Sequence, residues 1–352
     1  MREGWEYKKL GDLCDIYQPK TLATEQLVVD GKYYVYGANG IIGKYNDYNH
    51  EQSEILLTCR GATCGTINIS QPYSWINGNA MVIHRKSEDL SFDFLKYLML
   101  SLDYSLIITG AAQPQITRQK IAPTIVKFPS LSVQQSIVSE LDKINELIRL
   151  KREQLKDYDN LAQSIFYEMF GDPVVNEKGW EVKRITDLCI EISAGGDASK
   201  HEIKKTKDEI FSVPVYSNGI DEDGLYGYSN HATIIQPAIT LAARGTIGAA
   251  FIRTEPYIPI IRLVSVIPDL SKISLTYLFY ILKQTEWDRT GGTIPQLPVP
   301  KVKQLTLPLP PLPLQQAFAQ RIELIERQKA EIQNTISDLE TLLASRMQYW
   351  FD

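Results

Sequence analysis

Apolar and polar residues along this chain alternate in two textures, and both textures occur twice. Over residues 1–130, short β-branched and aromatic runs such as KYYVYG, EILLTC and AMVIHR lie between Gly, Asn and Pro. That pattern predicts short strands joined by turns. A helical patch follows, FDFLKYLMLSLDY at 92–104, then a glycine loop and a last strand, TIVKFP. Beyond Ser132 the texture changes, and no proline occurs before Pro173. Apolar side chains fall at Ile137, Leu141, Ile144, Ile148, Leu155, Tyr158, Ala162, Ile165 and Met169. Steps of four and three are the heptad seam of a coiled coil.

The second half repeats this order. AITLAA, RLVSVI and the helical patch LTYLFYILKQTEW (275–287) precede a short strand, QLTLPLP. A second seam then runs through Phe318, Ile322, Ile325, Lys329, Ile332, Ile336, Leu339, Leu343, Arg346 and Trp350. Each seam is interrupted near its middle by a lysine, Lys151 or Lys329, and a polar residue there sets helix register at some cost in stability. The helix entrances repeat too, PSLSVQQ at 129–135 and PPLPLQQ at 310–316. Ser132 and Gln135 fit an S-x-x-Q capping box, and Pro313 stands where a first-turn proline is tolerated.

Direct repeats tie the halves together. GWEYKKLGDLC (4–14) returns as GWEVKRITDLC (179–189), and VYGANGI (35–41) as VYSNGI (215–220). RGATCGTI (60–67) returns as RGTIGAAF (244–251), and TGAAQPQI (109–116) as TGGTIPQL (290–297). So long a period excludes a solenoid and reads as two copies of a domain-plus-helix module. The expected units are a domain over 1–130, a helix over 131–172, a second domain over 173–311 and a second helix over 312–352. A lone helix with such a seam leaves it wet, so the two helices are expected to pair. The chain returns to its start through a globular domain, which makes the pairing antiparallel. The expected fold class is α+β, with two mixed α/β domains separated by a coiled-coil rod of ~58 Å and related by a pseudo-two-fold axis.

Composition narrows the function. Apolar residues make up 44% and charged residues 22%, as in soluble globular proteins. The opening MREGWEYKKL has charges where a signal peptide needs an apolar run, and no stretch approaches the ~18–20 apolar residues of a membrane span, so a cytoplasmic location is expected. Cys14, Cys59, Cys64 and Cys189 form no C-x-x-C pair and read as small buried hydrophobes. A net charge of -5 argues weakly against a nucleic-acid partner. Residues 1–130, however, carry 13 basic and 13 acidic groups and residues 172–311 carry 15 and 16, so each domain is close to neutral and free to present a basic face.

Catalytic motifs are missing. GANGIIGKY has the wrong spacing for a phosphate loop and a tyrosine where magnesium needs a hydroxyl residue. His50, His84, His201 and His231 are scattered with no H-E-x-x-H, and there is no G-x-S-x-G elbow. The glycine loop and the Asn/Asp-Pro-Pro-aromatic tetrad of adenine methyltransferases are absent as well. Two full copies of a unit without a catalytic set read as a binder, not an enzyme by itself and with no cofactor of its own. A catalytic site of unfamiliar form, or a coiled-coil scaffold with no DNA role, stays open on the residues alone.

The paired GWE…DLC openings, the TG..x-P-Q-[IL] loops, the Pro-Leu-x-x-Gln-Gln helix entrances and the ends YEMFGD and MQYWFD, taken in order over the whole chain, resemble the specificity subunit of type I restriction–modification systems. The resemblance implies two target-recognition domains, each reading one half of a split, asymmetric DNA sequence. It further implies helices that space them and dock two methyltransferase subunits, which hold S-adenosylmethionine; a restriction subunit can join that complex.

Base edges call for Arg on guanine and Asn or Gln on adenine. The candidates in the first domain are Tyr36, Asn39, Lys44, Arg60, Asn77, Asn79, Gln113, Gln115 and Arg118. In the second they are Tyr216, Asn218, Arg244, Arg289, Thr293 and Gln296. The Asn-Gly pairs at 39, 77 and 218 are first of all turn chemistry. Lys120, Lys204, Lys205, Lys207, Lys301 and Lys303 are phosphate candidates or plain solvated lysines.

Overall fold

The repeat in sequence is a repeat in structure. The computed structural model describes residues 5–110, 113–287 and 296–352. The first copy runs β1 (Glu6–Lys9), α1 (Leu10–Leu13), β2 (Cys14–Tyr17), β3 (Tyr33–Gly37), β4 (Gly40–Tyr45), β5 (Ile55–Thr58), β6 (Ile67–Ile69), β7 (Trp75–Ile76), β8 (Ala80–Arg85), α2 (Phe92–Ser101), α3 (Arg118–Ile121), β9 (Ile125–Phe128) and α4 (Leu131–Phe170). The second runs β10 (Glu181–Arg184), α5 (Ile185–Leu188), β11 (Cys189–Ala194), β12 (Val213–Tyr216), β13 (Leu225–Ser229), β14 (Ala238–Leu241), β15 (Ala250–Arg253), β16 (Ile258–Pro259), β17 (Val264–Pro268), α6 (Leu275–Gln284), α7 (Val299–Lys303), β18 (Thr306–Leu309) and α8 (Leu312–Phe351).

Sheet order is the same in both copies. The four-stranded sheet β2-β8-β5-β6 corresponds to β11-β17-β14-β15, and the three-stranded sheet β4-β3-β7 to β13-β12-β16. Each smaller sheet has one parallel pair, β3 with β7 and β12 with β16. β5 and β14 are buried on both faces, which is why ILLT and AITL read as continuous apolar runs rather than alternating ones. α2 starts where the Ser91 hydroxyl accepts from Phe94 N, and it buries Phe94, Leu95, Leu98 and Met99.

The chain divides into two compact units, Met1–Arg152 with Thr335–Asp352, and Glu153–Asn334. In the first, Ile137 and Leu141 of α4 join the domain core of Leu10, Ile16, Ile55, Leu57 and Phe94, with Leu343, Met347, Trp350 and Phe351 of α8 packed against it. In the second, Ala162, Phe166 and Phe170 of α4 share one core with Phe318, Ile322 and Ile325 of α8 and with Ile185, Ile239, Tyr277 and Leu278 of the domain. Within the first unit Glu140 meets Arg346 and Arg152 meets Glu340; within the second Asp159 meets Lys329 and Phe166 meets Phe318. Numbers fall along one helix as they rise along the other, so the pairing in each unit is antiparallel. Each helix starts against the domain it follows and ends against both the helix and the domain core of the other copy.

The seam departs from the expected face near its end. Phe166 and Phe170 are fully buried, while Ile165 and Met169 only border the core. An α-helix drifts by about 20° per heptad against a 3.5-residue repeat, and past Ala162 that drift brings the phenylalanines onto Tyr277, Tyr280 and Phe318. Lys151 and Lys329 are half-buried at their expected seam positions. Lys329 Nζ donates to Asp159 and Glu326, at 2.8 and 2.9 Å.

The capping box does not form. Ser132 lies inside α4 with its hydroxyl against Ser130, and Gln135 is exposed. The neighbouring glutamines hold the entrances instead. Gln134, buried, accepts from Ser91 N (2.8 Å) and donates to the carbonyls of Asp89 and Pro129 (2.9 Å each). Gln315, its counterpart, accepts from Ser274 N (2.8 Å) and donates to Pro310 (2.7 Å).

Candidate nucleic-acid interface

Three loops that are distant in sequence meet in the first domain. The β3–β4 turn reverses at Gly40, whose φ of +106° is the left-handed region that favours glycine. The glycine loop after β5 is tied to that turn: Thr63 Oγ1 donates to Asn39 Oδ1 at 2.6 Å, and the Thr58 hydroxyl to the Ala38 carbonyl. The 109–116 stretch closes the cluster. Gly61 N donates to Pro114 O and Ile116 N to Cys59 O, both at 3.0 Å, which sets Arg60 directly opposite Gln115.

The second domain assembles the same three motifs. Asn218 Oδ1 accepts from Ala243 N (2.7 Å), and Thr246 Oγ1 donates to the Asn218 carbonyl (2.8 Å). Leu297 N donates to Ala243 O at 2.9 Å, and Arg244 stands opposite Gln296. Arg60 and Arg244 are exposed, and neither has an ion-pair partner among the described residues. Arg118 is exposed at the start of α3, and Lys44 is exposed on β4 with Nζ 5.7 Å from the Tyr34 ring centre.

Several candidates turn out to be structural. Tyr36 is buried, and its hydroxyl accepts from Gln71 N at 3.1 Å. Asn77 is buried; its Oδ1 accepts from Leu22 N and Gly78 N, and its amide donates to Leu22 O. Neither can present an edge to a groove. Asn218 spends both ends of its amide on the protein, on Ala243 N and Ile261 O. Tyr216 is covered by Arg253, whose guanidinium lies 3.5 Å from the ring centre. Arg253 is itself buried, which depresses its pKa, and it bonds Thr240 Oγ1 and the Asp223 carbonyl.

Asn39 is exposed but engaged with Thr63. Asn79, Gln113 and Gln296 are exposed, and Gln115 is half-buried. Arg289 and Thr293 lie outside the described residues. The threonines that lock the loops, Thr63, Thr109 and Thr246, escaped the motif reading. Thr63 stands three residues after its arginine and Thr246 only two, so their equivalence is visible only once the loops are folded.

The long helices also expose apolar side chains. Leu147, Leu150, Leu342 and Tyr349 do so in the first unit, and Leu161, Tyr167 and Leu324 in the second. A cleft of ≈ 1070 Å³ in the second unit has Tyr167, Phe279 and Tyr280 in its walls beside Asp159, Glu323 and Glu326. No cluster of three or more His, Cys, Asp or Glu that could hold a metal ion occurs among the described residues, and none of their helices is long and apolar enough to cross a membrane. All four cysteines are free thiols; burial pushes Cys14 and Cys189 up to about 12, so they are not thiolates at neutral pH.

Comparison with known proteins agrees with this duplication. The family described as the type I restriction modification DNA specificity domain matches residues 2–157 and again 177–341. A Mycoplasma pneumoniae chain named as a type I specificity subunit is 28% identical over 326 residues, covering 90% of this chain and 87% of that one. The specificity subunit of a type I restriction enzyme from Methanocaldococcus jannaschii is 24% identical over 301 residues, covering 75% and 68%. The crystal structure of the type I S subunit from M. genitalium has the same fold, with a TM-score of 0.58 at 15% identity, covering 99% and 96%.

Proposed function

The chain belongs to the type I restriction–modification DNA specificity family, and from that premise we propose that it is the non-catalytic, sequence-reading subunit of a type I complex. Each domain reads one half of a split, asymmetric DNA target. The observation that carries this reading is the double convergence of one turn, one Arg-Gly loop and one Pro-Gln segment. The same scaffold is built twice, and unlike residues decorate it. The hairpin tip of the second domain is longer and carries Asp221, Glu222 and Asp223 beyond Asn218, whereas the first turns back at once after Ala38 and Asn39. Carboxylates accept from cytosine N4 and are repelled by phosphates, so unlike tips suit unlike half-sites.

The exposed leucines and tyrosines of α4 and α8 suit docking of two methyltransferase subunits, and a restriction subunit joins where the system has one. Those partners bind S-adenosylmethionine and take the target adenine out of the duplex; this chain supplies the address. Expression with its methyltransferase partner, followed by mapping of methylated adenines, should return two unlike short sequences separated by an unread gap. A continuous palindromic motif, or methylation by this chain alone, would overturn the reading.

A further inference from the structure

Resting on that reading, we propose that Arg60 with Gln115, and Arg244 with Gln296, are the base-reading couples of the two domains. Each arginine reads a guanine and its glutamine an adenine one base step away. Each half of the target therefore contains adjacent G·C and A·T pairs.

The geometry behind this is a single backbone bridge, made twice. The bonds from Gly61 N to Pro114 O and from Ile116 N to Cys59 O flank Arg60 and Gln115 rather than join them. Residues so placed form a non-hydrogen-bonded antiparallel pair, with Cα atoms about 4.5 Å apart and both side chains on one face. Bases along a strand rise about 3.4 Å per step, so side chains leaving this close together reach neighbouring base pairs. Gln115 is also bound from its other side, exchanging N–H and carbonyl bonds with Thr109 at 2.8 and 2.9 Å. In the second domain, Leu297 N to Ala243 O repeats the bond from Ile116 to Cys59, and Arg244 faces Gln296.

Two further observations point to a large ligand here. Gly61 and Gly245, next to each arginine, hold φ at +85° and +69°, and a Cβ added to either would meet nothing within 4 Å. The backbone beside both arginines is therefore bare and open, as close approach to a nucleic acid requires. Secondly, Arg85, Arg149, Arg152 and Arg346 all face a carboxylate, whereas Arg60 and Arg244 face none among the described residues. An arginine serving only a phosphate would not need a glutamine paired with it across a backbone bridge in both domains. An Arg–Gln couple matches the bidentate donors and acceptors of guanine O6/N7 and adenine N6/N7.

The test is methylation mapping of the assembled complex with wild-type, Arg60→Ala, Arg60→Lys and Arg244→Ala chains, each checked for an unchanged melting temperature. Arg60→Ala should relax one G·C position in one half-site only, by ~5- to 150-fold in discrimination, and Arg244→Ala one position in the other half. Arg60→Lys keeps the charge but loses the fork, so it should relax the same position. Specificity unchanged at every position in the alanine variants, uniform weakening without relaxation, or a wild-type half-site lacking a G·C pair would each overturn the couples. A wild-type complex with no split motif would instead overturn the proposed function itself.

Discussion

Arg346, near the end of α8, closes on Glu140, near the start of α4, with both ends of its guanidinium fork, Nε on Oε1 and Nη2 on Oε2. Trp350 Nε1 donates to the same carboxylate at 3.0 Å, and its ring stacks on Trp5 with centroids 6.4 Å apart. The second unit has no copy of this clamp, because Arg321 stands 181 residues after Glu140 and Ile165 stands 181 before Arg346.

The clamp has a pH signature. The Arg346 bonds, helped by Trp350 and opposed by burial, hold the Glu140 carboxyl below its usual range. A depressed carboxylate stabilises the fold above its unfolded pKa, and that contribution disappears as pH falls through the lower folded value. Glu140→Gln should therefore be less stable than wild type at pH 7, with the gap closing below about pH 4. Chemical denaturation at a series of pH values measures this; a gap that stays constant into acid would contradict it.

At the helix entrances, the two glutamines of each QQ pair should behave oppositely. Gln134→Ala and Gln315→Ala each strip a buried amide from the backbone groups it bonds, among them the buried Pro129 and Pro310 carbonyls, and should cost about 1–3 kcal/mol. Gln135→Ala and Gln316→Ala remove exposed side chains and should stay within about 0.5 kcal/mol of wild type. Equal effects from both members would show that the entrances are held by something else.

Lys329 and Lys151 should trade stability for register. Lys329→Leu breaks the bonds to Asp159 and Glu326 but adds an apolar side chain to the seam, and should gain about 1 kcal/mol. Lys151→Leu should act in the same direction. The accompanying loss is uniqueness of pairing, read by the spread of disulfides formed between cysteines placed one turn apart on the two helices. Unchanged melting together with an unchanged disulfide pattern would dispose of the register role.

Asn77→Ala separates architecture from reading. It should destabilise the first domain by about 2 kcal/mol, because the Leu22 backbone N–H and carbonyl both lose their bonds to the Asn77 amide. The methylated sequence should stay the same in every position. A shift in the target would place Asn77 back among the reading residues.

Much of the fold is legible in the sequence. The strand runs 33–37, 55–58 and 80–85 appear within KYYVYG, EILLTC and AMVIHR, and both seams bury the apolar residues their spacing picked out up to Ile148 and Ile336. The candidate site was legible only in part. Arg60, Gln115, Arg244 and Gln296 lie where repeated motifs put them, and folding joins them in pairs. Tyr36 and Asn77 carry the same kind of signal, a polar group beside glycine, yet fold inward. Nothing within five residues of Asn77 announces that Leu22 will take up its amide.

The duplication, the two long helices and the need of each for a partner follow from the residues alone, because periodicity and turn chemistry act over a few neighbouring positions. Which asparagines are spent on backbone groups, which phenylalanines the drifting helix turns inward, and which arginine meets which glutamine were decided only by tertiary structure. Burial and hydrogen-bond satisfaction depend on neighbours brought together from tens to hundreds of residues away, and no local pattern encodes who those neighbours will be.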